Sequence, residues 1–242
     1  MTTLKQAWVI VRSEFHGDRW KLLWALLFSL VFMGYFSAIT GMVIDDSLSG
    51  SAGRMLSDVL MITMTLMLSI SFSRRTMKYL SEDSYTRMLA YMRALPVPAA
   101  AILCKRKLNV LFAITMNGTL YFSLIYLISP GIRSELPVPV YLAFAFTWVG
   151  YGLIVSGLYI LIEFSVSGKV YFWSISAIMI LAIGAAGLVH LGGGNLMLAS
   201  VAASKEWGLL SPLMWGALVL GVLSLQLFSK WTIHRLKSRD LV

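Results

Sequence analysis

The sequence predicts an all-α integral membrane protein with six transmembrane helices and both termini on the cytoplasmic side. Three observations carry that expectation. Of 242 residues, 58% are hydrophobic and 13% charged, with a mean hydropathy of +0.79; a soluble domain of this length needs far more polar surface to cover its core. The apolar residues are gathered into continuous runs long enough to cross a bilayer, with none of the period-2 alternation of a barrel. The basic residues fall beside alternate ends of those runs.

A cytoplasmic segment comes first. Within residues 1–20, Leu4, Trp8, Val11 and Phe15 follow helical spacing, and Lys5, Arg12 and Arg19 recur every seven residues beside them. That pattern suits a helix lying in the membrane interface, its basic side chains at headgroup level; an amphipathic turn packed on a neighbour is the alternative. The charges here also speak against a cleaved signal peptide.

Six runs then qualify as spans: 22–44, 55–72, 108–129, 140–162, 170–191 and 209–229. The second is the shortest and carries Asp58 near its start, where a water-facing place at the outer interface is expected. Between the second and third spans lies a long basic segment. Ser81, Asp83 and Ser84 can cap a helix over 84–94, and Tyr85, Met88, Leu89 and Met92 then form an apolar face. Leu95-Pro96-Val97-Pro98 ends it, and Pro98 suits the first turn of a helix that can run on into the third span.

Asn117 sits mid-span, where an interhelical hydrogen bond or a place on a substrate path would explain it. Glu163 closes the fourth span and is expected to pair with nearby Lys169. In the fifth span Ala182 and Ala186 make a small-xxx-small pair that admits a close neighbour. Residues 192–207 open on three glycines and hold too few apolar residues to cross, so a re-entrant or interfacial segment on the outer side is expected. Seventeen of the twenty Lys and Arg fall on one side of this arrangement, which sets that side as the cytoplasm.

Function is narrowed by what is missing. The net charge of +9 reads as positive loops at a membrane rather than a nucleic-acid surface. Cys104 is the single cysteine, and His16, His190 and His234 lie in three separate regions, so no metal centre is expected. The string Ser167-Gly168-Lys169-Val170 lacks the earlier glycine and the following hydroxyl of a phosphate loop. Hydrolase elbows and zinc-protease motifs are absent, and no enzymatic activity or cofactor within the chain is expected.

The interfacial N-terminal helix, six spans, both ends inside, and the segment from Tyr85 to Pro96 closing on Leu-Pro together resemble permeases of the ABC-2 transporter family. Size and the methionine-rich second span are more narrowly similar to the permease subunits of bacterial exporters of phenol-soluble modulins, which are amphipathic peptides. The resemblance implies a multi-pass protein of the cell membrane. It would pair with a second permease, identical or related, and with separate ATPase subunits that bind ATP and magnesium. It implies an ATPase-coupling site at Tyr85, Met88, Leu89, Met92 and Arg93, with Ser167 and Lys169 in a smaller second contact. Export of amphipathic or hydrophobic peptides is the expected activity. Export of a lipid or small drug, or a receptor or assembly role without transport, are the alternatives. A proton- or sodium-driven carrier would call for mid-membrane carboxylates and internal repeats that the sequence lacks.

Overall fold

The computed structural model describes residues 3–17, 19–50, 53–70, 91 and 98–238, and these are helical apart from short connections. The helices are α1 (Thr3–Gly17), α2 (Arg19–Ser49), α3 (Arg54–Met67), α4 (Ala99–Ile128), α5 (Pro130–Glu135), α6 (Val138–Ser165), α7 (Gly168–Leu191), α8 (Leu196–Trp207) and α9 (Pro212–Ser238), with a 3-10 turn at Gly208–Leu210. Five stretches are long and apolar enough to cross a membrane: Leu23–Ser49, Ala99–Ile128, Val138–Ser165, Gly168–Leu191 and Pro212–Leu236.

The end where α2, α4 and α7 finish is termed distal, and the end where they start proximal. Exposed tryptophans mark both levels: Trp20, Trp24, Trp173 and Trp231 at the proximal end, Trp207 and Trp215 at the distal end. Amphipathic indole rings favour the two interfaces of a bilayer. On α9 the sixteen steps from Trp215 to Trp231 span about 24 Å at 1.5 Å per residue, close to the hydrocarbon thickness.

The segment expected to span as 55–72 is shorter than that. Its helix ends at Met67 after 14 residues, about 21 Å, and the chain turns through Leu68–Ile70. Beyond its exposed first turn α3 is enclosed: Ser57, Asp58 and Met61–Leu66 are all buried, between α2, α6 and α7.

The centre of the bundle is aromatic. Phe122 of α4 meets Phe144 of α6 edge-on at 6.5 Å, Tyr126 lies 4.7 Å from Tyr141, and Phe144 continues to Trp148 and Tyr151 along α6. The Tyr141 hydroxyl donates to the Phe122 carbonyl at 2.6 Å, so the ring is anchored and its polar tip satisfied.

Helices α6 and α9 pack most closely, because glycines remove the side chains between them. A Cβ on Gly150 would lie 2.6 Å from the Ala217 carbonyl carbon, one on Gly157 2.9 Å from Ser224 backbone, and one on Gly221 3.0 Å from the Gly150 oxygen. Ser224 donates across this seam to the Ile154 carbonyl at 2.5 Å. Apolar side chains already contact lipid elsewhere, so helices associate here through close packing and such bonds.

The helix expected within residues 1–20 is present as α1, and it packs on α4 with its apolar stripe divided. Val11, with Ala7, is buried on α4, while Leu4 and Trp8 are exposed. The small Ala7 lets the two backbones approach and turns the larger side chains outward. As the proline at position 98 suggested, α4 runs unbroken from Ala99 into the third span; not expected was the cap of the short α5 by Ser129, whose hydroxyl accepts from the Ile132 amide at 3.1 Å.

Candidate functional site

Within an apolar bundle the polar side chains are the informative ones, because each must find a partner or face water. They gather at three levels.

In the middle, Asn117 is fully buried and joins three elements. Its amide nitrogen donates to the carbonyls of Leu68 at 2.9 Å and Ile70 at 3.2 Å, and its oxygen accepts from the Ser29 hydroxyl. The carbonyls that α3 leaves unpaired where it stops are thus capped from α4. A helix end inside a membrane requires such a donor. Four residues along α4, the Tyr121 hydroxyl donates to Thr40 of α2 at 3.0 Å. Asn117 lines neither the cavity at the α3–α7 boundary nor that at the α2–α4 boundary.

At the distal end a polar clamp surrounds α8. Asp58 is buried, and its two carboxylate oxygens accept from the amides of Leu196 and Met197 at 2.9 and 2.8 Å. Asn195 caps the same helix through the Leu198 amide at 2.7 Å, and its own amide donates to the Arg54 carbonyl at 2.6 Å. The Trp148 indole donates to Ser200 at 3.1 Å, and Lys205 pairs with Glu135 of α5. The expected water-facing Asp58 is therefore corrected: the helix N-terminus that residues 195–197 bring over it replaces water as donor and as complementary dipole. Beside it, Asp45 accepts from the Ser129 hydroxyl and from the Gly131 amide at 3.0 Å, tying α2 to α5.

At the proximal end, Glu163 pairs with Arg106, whose Nε and Nη2 both stand 2.8 Å from the same carboxylate oxygen. The expected partner, Lys169, is instead exposed on the first turn of α7. The physical reason is reach. Lys169 lies beyond a helix break at Val166–Ser167, whereas Arg106 projects from the part of α4 that extends past the apolar run. With the Glu163 side chain 7% exposed, this pair joins α4 to α6 where solvent screens it only weakly.

Of the expected coupling residues, Tyr85, Met88, Leu89, Met92 and Arg93 lie outside the described residues. Ser167 is the half-buried residue preceding α7, its carbonyl accepting from the Tyr171 amide at 2.9 Å. Ser167, Lys169, Glu163 and Arg106 all occupy the proximal end, the end at which α4 starts. Among the described residues no cluster of His, Cys, Asp or Glu could hold a metal ion. No family model, curated protein or solved structure matches the chain.

The clamp supports a direct test. Asp58→Ala leaves the buried Met197 amide and the part-buried Leu196 amide at the start of α8 without acceptors, a loss of about 1–3 kcal/mol for the buried one and less for the other. Amide hydrogen exchange at residues 196–198 is expected to rise at least tenfold, while exchange in the middle of α4 stays unchanged. Asp58→Asn, which keeps one acceptor oxygen, should fall between the two.

Proposed function

We propose that the chain is the membrane subunit of an ATP-driven exporter, working with a second permease and separate ATPase subunits. The observation that carries this reading is the unbroken run of α4 from Ala99, immediately after the basic segment, to Ile128. Force applied to residues 84–94 by a cytoplasmic partner would enter α4 through Pro98. It would then meet the Arg106–Glu163 pair first and the Asn117 junction eleven residues later. A helix held at two points transmits such a displacement as a lever.

The proximal end is taken as cytoplasmic, on the strength of the Lys and Arg distribution. The second permease fits against α7. In that span only 6% of the most apolar 18 residues are buried, and Gly184 has open space around it. Its Ala186 is buried, and Gly187 faces Met55 of α3, so one side of the small-residue stretch is used within the chain.

Amphipathic or hydrophobic peptides are the proposed cargo. Spans rich in Met, Phe, Tyr and Trp, with their buried carboxylates already bonded to protein, offer an adaptable apolar path rather than a polar one. The test is reconstitution with the separate ATPase subunit that co-purifies with this chain, followed by titration with amphipathic helical peptides, lipids and sugars. Peptides are expected to raise hydrolysis several-fold and to accumulate in inverted vesicles. A response to a lipid or drug alone would overturn the peptide assignment and leave the exporter standing. Hydrolysis indifferent to this subunit would overturn both.

A further inference from the structure

At the distal boundary of α3 and α7 lies a cavity of about 410 Å³ whose lining combines two chemistries. Arg54 and His190 reach it from different helices, and Met55, Leu56 and Val59 form its apolar wall. Both basic residues are exposed, and Arg54 makes no ion pair among the described residues. The acids near it are largely occupied. Asp58 is spent on two α8 amides, and Asp45 on Ser129 and Gly131. Asp46, beside Gly53, stands at the edge without pairing with Arg54.

Placement makes this combination unusual. Among the described residues the distal end carries three Lys and Arg, Arg54, Arg133 and Lys205, and of these Lys205 is held by Glu135. Arg54 is thus a cation at the sparsely basic end, beside a second potential donor and over hydrocarbon. The level is also specific: Trp207 and Trp215 mark the same end, where the phosphates of one bilayer leaflet lie.

We propose that this cavity binds a phosphate group. The planar guanidinium of Arg54 offers two parallel N–H donors that match phosphate oxygens, and the His190 imidazole offers a third donor. The wall of Met55, Leu56 and Val59 suits the hydrocarbon beneath a lipid phosphate, although free phosphate shares the recognition chemistry. The inference goes beyond the exporter reading and does not depend on it, since binding is measured without the ATPase.

The experiment uses the full chain in detergent, with phosphatidylglycerol titrated and bound species counted by native mass spectrometry. Arg54→Gln is expected to weaken binding about tenfold, the loss of a charge-assisted pair. Arg54→Lys, a point charge without the fork, should weaken it less, as should His190→Gln. Unlabelled diacylglycerol, which has no phosphate, should fail to compete. Competition by millimolar inorganic phosphate assigns the site to the free anion, and resistance to it assigns the site to the lipid; either supports the proposal. Because Arg54 is exposed, its variants should elute as the parent protein does. Equal phosphatidylglycerol binding by the parent and by well-folded Arg54→Gln would overturn the assignment.

Discussion

Gly157→Leu is expected to abolish the folded protein, and Gly150→Leu to do the same, while Gly216→Ala on the facing helix leaves it intact. The difference is what each new atom meets. A Cβ at Gly157 falls 2.9 Å from both the carbonyl carbon and oxygen of Ser224, and one at Gly150 falls 2.6 and 2.8 Å from the backbone carbon of Ala217 and nitrogen of Leu218. Backbone cannot rotate aside, so the helices must separate. Ordinary overpacking costs about 1–3 kcal/mol. Separating α6 from α9 also removes the Ser224–Ile154 bond and the packing of the most extensive helix pair, so the loss should exceed that range. At Gly216 nothing lies within 4 Å, and alanine gains helix propensity there. The measurement is the monodisperse fraction on size exclusion after mild solubilisation. A monodisperse Gly157→Leu protein would show that the seam is looser than its glycines indicate.

Those glycines also show where the sequence stops being legible. Hydropathy identifies what enters lipid, and it located α6 and α7 within three residues of both ends, while α2, α4 and α9 each run five or more residues past one predicted limit. It does not identify which side of an all-apolar helix meets which neighbour, because every side is equally greasy. Gly150, Gly157 and Gly221 therefore looked no different from Gly184, which faces open space. The small-residue pair that did stand out, Ala182 and Ala186, belongs to the least buried span.

Polar residues were legible in kind and not in partner. That Asn117 and Glu163 need hydrogen bonds follows from their surroundings. That Asn117 serves the end of α3, and Glu163 the Arg106 guanidinium 57 residues away, follows only from the fold. Asp58 was misplaced for the same reason, since its donors arrive from residues 196 and 197. The spacing of Asn195 after three glycines was a usable signal: Asn is a strong cap, and α8 begins directly after it.

On the proposed exporter reading, Leu89→Asp is expected to weaken ATPase binding about a hundredfold while the chain remains in the membrane and elutes normally. By helical spacing Leu89 shares the apolar face of Tyr85, Met88 and Met92. A buried apolar anchor at the centre of an interface commonly accounts for about 2–4 kcal/mol, and an unpaired carboxylate adds a desolvation penalty to its loss. Ala90→Asp supplies the control, since it introduces the same charge on the opposite side of the same turn and should retain the ATPase. Comparing the two separates docking from folding, because a helix that merely packs on its own chain would lose abundance when its apolar face is charged. Co-purification from membranes, with both subunits quantified, reads the binding. Substrate-dependent hydrolysis reads the coupling that α4 would carry from this segment to Asn117. If Leu89→Asp holds its ATPase as tightly as the parent and keeps hydrolysis responsive to substrate, residues 84–94 are not the coupling site, and the lever through Pro98 has no input.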